Sequence, residues 1–235
     1  MMKTRLFFLT LPLLAFFATS LRADETKSSY LAKGQPDAIT LLAPPPVAGS
    51  PEDTADLETT FQAYRAATPA ERAQGIDEIK LTIFHFAPAI GPWFTPGKFP
   101  QTEALFKEVE AEAKAVTSHG KKHWQRIRPY HTDPARFPNA IEHEERTDYS
   151  YPSGHSTRAT VFALLLAELF PDKHDALLAL SRDIGWRRVE GGVHYPTDIY
   201  AGRVLGQAIV RELLANPVFQ HDLAAAKAEL AAGQH

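Results

Sequence analysis

Apolar and polar residues of this chain recur mainly at helical spacing. Leu105, Val109, Ala113 and Val116 lie three or four positions apart, which predicts a helix from about 101 to about 125. The same pattern, with proline near helix starts, predicts further helices: one that begins at Pro51, one from Thr68 to about Phe86, and others at 154–170, about 174–189, 196–215 and 217–230. No segment alternates like a half-buried strand, so we expect one all-α domain of about eight helices.

Two of these helices begin with residues that favour an N-cap. Ser50 precedes Pro51, and Thr68 is followed by Glu71 in a capping-box pattern. Residues 24–50, which contain three consecutive prolines, are predicted to be extended. The Pro-, Asp- and His-rich residues 129–152 are predicted to be a loop.

The first residues follow a different pattern. A basic start that includes Lys3 precedes an apolar run at 6–18, and small and polar residues follow. The run is shorter than the roughly 20 residues that span a bilayer, and Pro12 interrupts it. We therefore predict that residues 1–23 are a secretory signal peptide and that residues 24–235 are an exported domain, most simply a periplasmic one.

Composition removes several classes of chemistry. The chain has 235 residues, 44% of them hydrophobic, and no cysteine. This excludes wholesale disorder, a thiolate nucleophile and a Cys-ligated metal. The net charge of -3 falls to −6 without Lys3, Arg5 and Arg22, which predicts no nucleic-acid partner. No later segment is long and apolar enough for a membrane span, so we expect no membrane partner.

A basic cluster occupies residues 120–129. Lys121 and Arg128 are seven positions apart, or two helical turns, so we expect both on one helix face, where they can hold a dianion. The alternative is that the basic residues here, such as Lys122 and Arg126, only match the dipole at the C-terminal end of the helix.

A second cluster precedes the apolar helix at 154–170. Ser153 is placed as its N-cap, and Gly154 and His155 present backbone N–H groups that can bind an anion. An ordinary capped helix start would explain Ser153 and Gly154 but not His155.

The third cluster surrounds a Gly-Gly turn. Arg188 and His194 flank the turn, and Asp198 follows in the first turn of the next helix. Asp198 can accept a hydrogen bond from one ring nitrogen of His194, which leaves the other nitrogen as a nucleophile or base. Taken alone, Asp198 could equally be a carboxylate that matches the helix dipole.

The three clusters together point to one chemistry. They supply three cations, a helix N-terminus, two histidines and one orienting carboxylate. A phosphoryl group in transfer needs electrostatic stabilisation of its oxygens and in-line attack. The sequence therefore predicts phosphoryl transfer.

The motifs resemble a known signature. Lys121-x6-Arg128-Pro129, Pro152–His155 and Arg188-x5-His194-x3-Asp198 are similar to the three-part signature of the acid phosphatase / type 2 phosphatidic acid phosphatase superfamily, which includes vanadium haloperoxidases. From about Tyr30 to about Leu230 the chain also resembles the class A bacterial non-specific acid phosphatases.

This resemblance implies a fold and a mechanism. The fold would be the compact all-helical domain of the type 2 phosphatidic acid phosphatase / vanadium haloperoxidase type. His194 would attack phosphorus and form a phosphohistidine, Asp198 would orient His194, and His155 would protonate the leaving group and later activate water. The phosphoryl oxygens would be held by Lys121, Arg128, Ser153, Gly154 and Arg188.

The resemblance also implies a metal-independent enzyme without a cofactor. Its substrates would be small phosphomonoesters such as nucleotides and sugar phosphates, with inorganic phosphate or vanadate as inhibitors, and we expect a homo-oligomer. Two histidines with an ordinary pKa of about 6.5 predict a bell-shaped rate profile in the mildly acidic to neutral range. Arg187 departs from the signature, which has serine there. It either removes a hydrogen bond to phosphate or adds a fourth positive charge.

Other functions fit parts of the sequence. A lipid phosphatase of the superfamily would carry several membrane spans, and a haloperoxidase would hold vanadate with the same residues in a longer chain. A phosphate-binding protein would need the cations but not the two histidines. A metal hydrolase would have to use loop residues without recognised ligand spacing, namely His131, Asp133, His143 and Glu144.

Overall fold

The computed structural model describes residues 30–141 and 149–233 of the chain. Within these ranges the chain is helical and has no strand, which confirms the predicted all-α class. The α-helices of the described residues are α1 Ala38–Leu41, α2 Pro51–Ala66, α3 Pro69–Asp77, α4 Ala87–Ile90, α5 Pro100–Trp124, α6 Pro129–Thr132, α7 Gly154–Leu169, α8 His174–Glu190, α9 Pro196–Ala215 and α10 Pro217–Ala232. The predicted signal peptide, His143 and Glu144 lie outside the described residues.

Local signals place most helix starts. The Ser50 hydroxyl accepts a hydrogen bond from the Asp53 N–H at 3.2 Å, and Thr68 and Glu71 form the predicted capping box. Proline occupies the first turn of α2, α9 and α10, where a missing N–H costs no intrahelical hydrogen bond. These starts therefore follow from residues within one turn of the boundary.

One predicted helix end is wrong, and two segments contain short helices that the sequence did not predict. The helix predicted from Thr68 to Phe86 ends at Asp77 and continues as separate 3₁₀ turns at Glu78–Lys80 and Ile83–Phe86. The Glu78 side chain turns into the protein there to pair with Arg187, a contact that helical periodicity does not foresee. The segments predicted as extended or loop also contain the single-turn helices α1 and α6.

Helix α7 is the centre of the fold. It is apolar on nearly all faces and packs against α5, α8 and α9, as expected of a helix buried all round. Glycines on α9 let it lie directly on α7. A Cβ atom at Gly202 would be 2.7 Å from the Ser153 carbonyl oxygen, and one at Gly206 would be 2.8 Å from the Thr160 Cβ. This close approach brings the start of α7 against the start of α9.

Apolar side chains form two clusters. The larger one surrounds α7, and a smaller one packs residues 130–141 against α2, with Tyr64 and Phe137 in edge-to-face contact. The residues of the predicted site lie mainly at helix ends near these clusters. Within the described part of the chain, no helix has the length and apolar character to cross a bilayer.

Candidate active site

Most of the predicted site residues lie at or next to the ends of four long helices. Except for half-buried Gly154, all of them are buried. Lys121 lies in the last turn of α5, and Arg128 precedes α6. The other residues lie at the start of α7, the end of α8 and the start of α9, namely Ser153, Gly154, His155, Arg188, His194 and Asp198.

Both ring nitrogens of His194 have a charged neighbour. Nδ1 is 3.1 Å from Asp198 Oδ2, the contact that the sequence predicted, and Nε2 is 3.3 Å from Arg128 Nη1. A carboxylate can only accept a hydrogen bond and a guanidinium can only donate one. His194 therefore carries its proton on Nδ1, and the lone pair on Nε2 faces a cation.

Asp198 is completely buried at the base of this pair. Burial raises the pKa of its carboxyl group, and the Arg126 guanidinium, the Tyr195 N–H and the Lys121 ammonium act in the opposite direction. The Arg126 Nη1 donates to Oδ1 at 2.9 Å, and the Tyr195 N–H donates to Oδ2 at 3.0 Å. The state of the carboxylate beside His194 therefore depends on its cationic neighbours.

Arg126 is a member of this site that the sequence analysis missed. Its side chain bridges three carboxylates, at 2.9 Å to Asp53, 2.8 Å to Asp56 and 2.9 Å to Asp198, and its guanidinium lies 3.7 Å from the centre of the Tyr195 ring. The interpretation of Arg126 as a match to the helix dipole is wrong. The partners on α2 are about 70 residues away in sequence, so no local signal could have identified them.

Lys121 and Arg128 meet for a different reason from the one predicted. Helix α5 ends at Trp124, and Gln125 has a left-handed φ of 51°, so the two residues do not share a helix face. Instead, Lys121 Nζ and Arg128 Nη2 both donate to the Tyr149 carbonyl oxygen, the latter at 3.4 Å. The two cations converge because the chain turns after α5.

The start of α7 contributes the second histidine. The Ser153 hydroxyl accepts from the Ser156 N–H at 3.3 Å as the predicted N-cap, and the Ser153 N–H donates to the Asp198 carbonyl oxygen at 3.0 Å. His155 Nε2 lies 3.1 Å from the Ile79 carbonyl oxygen. Because a carbonyl only accepts, Nε2 of His155 carries a proton.

Arg188 faces the segment that follows α3. Its Nη2 donates to the Gly75 carbonyl oxygen and lies 3.7 Å from Glu78 Oε2. Its own carbonyl oxygen accepts from the N–H groups of Val193 and His194 at 3.1 and 3.2 Å, which closes the turn before α9. The backbone of Arg188 therefore holds the loop that carries His194, and its side chain points toward the segment that also contacts His155.

The neighbouring Arg187 is paired. Its Nε and Nη2 both contact the Glu78 carboxylate, at distances of 2.6 to 3.0 Å. Arg187 is therefore a fourth cation near the site, and its guanidinium is paired with the Glu78 carboxylate.

Comparisons with known proteins agree with these motifs. Residues 109–220 match the PAP2 superfamily. The chain is 30% identical over 214 residues to the non-specific acid phosphatase of Providencia stuartii, covering 86% of this chain and 84% of that protein. The chain belongs to the PAP2 superfamily. The predicted resemblance to bacterial non-specific acid phosphatases is confirmed.

Further relatives extend this result. The non-specific acid phosphatase of Salmonella typhimurium is 28% identical to this PAP2 protein over 239 residues, covering 97% of this chain and 93% of the relative. A transmembrane PAP2 type phosphatidylglycerolphosphate phosphatase from Bacillus subtilis has a similar structure. Its TM-score is 0.52 at 20% identity, over 78% of this chain and 90% of that chain, which shows a shared fold.

The metal-hydrolase hypothesis requires several metal-ligating side chains that lie close together in this PAP2 protein. Residues 30–141 and 149–233 contain no group of three or more His, Asp or Glu side chains placed to hold a metal ion. Two residues of the metal-hydrolase hypothesis, His131 and Asp133, lie within these ranges, and the other two lie outside them.

Proposed function

We propose that this PAP2 protein is an acid phosphatase that hydrolyses phosphomonoesters, such as nucleotides, sugar phosphates and aryl phosphates, through a phosphohistidine. One observation carries the proposal. Asp198 and Arg128 fix one tautomer of His194, and the Nε2 lone pair of that tautomer faces a guanidinium that can hold a phosphoryl oxygen. The names of the curated relatives support the same reaction class.

The reaction has two steps. In the first, His194 Nε2 attacks phosphorus, the N–P bond forms as the ester P–O bond breaks, and His155 gives a proton to the leaving oxygen. In the second, His155 takes a proton from water, the water oxygen bonds to phosphorus and the N–P bond breaks. Inorganic phosphate is released and both histidines return to their starting states.

Three cations and one helix N-terminus would hold the phosphoryl oxygens. The cations are Lys121, Arg128 and Arg188. The Ser153 hydroxyl accepts from the Ser156 N–H, which leaves its own O–H to donate. The glycine at position 154 favours the proposal that an anion binds here. A Cβ atom at this position would come no closer than 3.7 Å to the neighbouring atoms. Packing therefore does not require glycine, whereas an anion bound to the backbone N–H does favour it.

A trapping experiment tests the intermediate. Rapid quenching during turnover of p-nitrophenyl phosphate should give acid-labile phosphate on His194, and His194→Ala should abolish both the adduct and turnover. Asp53→Asn is the matched control, because it changes a carboxylate near the site without contacting a histidine. Turnover by His194→Ala at the rate of the parent enzyme would contradict the proposal.

The proposed enzyme works without a metal or another cofactor. Activity should persist in EDTA, and vanadate and inorganic phosphate should inhibit competitively, because each resembles the group that is held. A loss in EDTA that zinc or magnesium restores would contradict this part. Transfer to an added alcohol should appear wherever the alcohol competes with water at the phosphohistidine.

The proposal extends to export and assembly. Residues 1–23 would be removed during export to the periplasm, and the mature domain would form a homo-oligomer. The N-terminal peptide of protein from a periplasmic extract, identified by mass spectrometry, tests the first statement. Light scattering of the purified protein tests the second, and a single monomer mass would contradict it.

A further inference from the structure

Two adjacent buried arginines share one carboxylate. Arg187 binds Glu78 through two nitrogens at 2.6 to 3.0 Å, whereas Arg188 Nη2 lies 3.7 Å from Glu78 Oε2. All three side chains are at least nine-tenths buried. The carboxylate is therefore close to both guanidinium groups but hydrogen-bonded by the first.

Glu78 lies in a segment that contacts two residues of the proposed active site. The Gly75 carbonyl accepts from Arg188, and the Ile79 carbonyl faces His155 Nε2. Glu78 already lies within ion-pair distance of Arg188, so a shift closer to Arg188 would strengthen its competition with phosphate for a proposed phosphate-binding residue. The fork of Arg187 opposes that shift, because a bidentate pair fixes both oxygens of the carboxylate.

A carboxylate competes with phosphate for the same donors. Within about 4 Å and out of water, one unit charge changes the binding of a dianion by about tenfold or more, even at an effective dielectric constant of 20. A change in the position of Glu78 can therefore change the affinity for phosphate, even though Glu78 does not contact the substrate.

We infer that Arg187 is a positioning residue that keeps Glu78 from moving closer to Arg188 and thereby sets the affinity of the proposed site for the phosphoryl dianion. The inference rests on the proposed function, because it takes Arg188 as a phosphate ligand. It gives a role to the residue at which this chain departs from the superfamily signature.

The test is a pair of single variants and their combination, with inorganic phosphate as the probe. In Arg187→Gln, Glu78 is released toward Arg188, so calorimetry should show phosphate binding about tenfold weaker, and KM for p-nitrophenyl phosphate should rise more than kcat falls. In Glu78→Gln, the competing charge is lost and Arg187 is left unneutralised, so phosphate should bind about three- to tenfold more tightly. The double variant removes both charges and should bind within about threefold of the parent.

Opposite signs in the two single variants separate positioning from a purely structural role. If the pair only stabilised the fold, both single variants would weaken phosphate binding, and that result would overturn the inference. Equal affinities in all four proteins would also overturn it. Circular dichroism and thermal melts monitor folding. If Arg187→Gln does not fold, Glu78→Gln against the double variant still tests the predicted tightening.

A matched control and the parent enzyme complete the experiment. Arg136→Gln removes a more exposed Arg–Glu pair, with Glu58 at 2.5 Å, and should leave phosphate affinity unchanged. A parent protein that neither binds phosphate nor turns over esters would contradict the proposed function itself. A parent that does both, with single variants that change affinity in the same direction, would contradict only the role of Arg187.

Discussion

The two histidines of the site are held in different ways. His194 lies between a carboxylate and a guanidinium, and Asp198 is itself held by Arg126. His155 Nε2 contacts the neutral Ile79 carbonyl oxygen. A nucleophile must present the same lone pair in every cycle, and fixed charges at both ring nitrogens select one tautomer. A general acid must gain and lose a proton, and a carbonyl accepts the Nε2 proton in both states of the ring.

Two parts of the site, named for their proposed roles, differ in how their charges are balanced. The nucleophile half is His194 with Asp198 and Arg126, and the phosphate-binding half is Arg188 with Arg187 and Glu78. Around His194, Arg126 alone bridges three carboxylates, and burial raises the pKa of the innermost one. Around Arg188, two guanidinium groups share Glu78. Among the contacts of the described residues, one arginine bridges the carboxylates of the nucleophile half, whereas one carboxylate is shared by the two arginines of the phosphate-binding half. Variants of these groups should have effects of different size and kind.

The largest effect is expected from Asp198→Asn. The amide no longer offers Nδ1 of His194 a carboxylate, so the ring can carry its proton on Nε2 and lose the nucleophilic lone pair. We expect kcat to fall about 10³- to 10⁴-fold, as in triads where the orienting carboxylate becomes an amide. Phosphate affinity, measured by calorimetry, should change less than about threefold, because the cations remain. A loss in kcat of under tenfold would mean that the tautomer is set without Asp198.

His155→Ala should have the next largest effect, and it should depend on the ester. Without a proton donor, alkyl phosphates should lose about 10³-fold in kcat, whereas p-nitrophenyl phosphate, whose leaving group needs no proton, should lose much less in its first step. Burst kinetics separate that step from hydrolysis of the intermediate. Equal losses for both esters in the first step would contradict the assignment of His155 as the acid.

The helical framework could be predicted from the sequence because its signals are local. Ser50, Thr68 and the prolines at helix starts act within one turn. The end of α3 at Asp77 was not predicted, and the next residue, Glu78, pairs with Arg187, 109 positions away, which no local pattern indicates. Local patterns fail where a tertiary contact overrides helical propensity.

In the candidate site, too, the contacts that are local in sequence could be predicted and the long-range contacts could not. The His194–Asp198 contact is four residues apart and could be predicted from spacing alone. Arg126 could not, because its carboxylates on α2 become neighbours only when the helices pack. Lys121 and Arg128 do converge, but the route is the turn after Gln125 and not a common helix face. Sequence spacing predicts which residues come together only when both residues belong to the same helix or turn.

Arg126→Gln should lower kcat by about 10²-fold. This loss is smaller than that of Asp198→Asn, because the carboxylate beside His194 remains. Its pH dependence follows from the sign of the interaction. Arg126 lowers the pKa of Asp198 against the effect of burial, so its removal raises that pKa. Asp198 then becomes protonated at a higher pH, and the acidic limb of the kcat profile should move upward. The control Arg126→Lys keeps the charge and should move the limb less. An unchanged limb in Arg126→Gln would show that Asp198 does not control it.

The smallest effects are expected from Asp56→Asn and Asp53→Asn. They test how strongly the two α2 carboxylates that bind Arg126 affect stability and kcat. Both carboxylates bind Arg126 Nη2, but the side chain of Asp56 is 5% exposed and that of Asp53 is 20% exposed. Asp56 also accepts hydrogen bonds from the Thr197 hydroxyl and N–H at the start of α9. We expect Asp56→Asn to lower the free energy of unfolding by about 2 kcal/mol and Asp53→Asn by under about 1 kcal/mol, measured by urea titration. In kcat, the first should lose several-fold and the second almost nothing. Equal effects would mean that Arg126 is held by the total charge around it and not by the buried contact between α2 and α9.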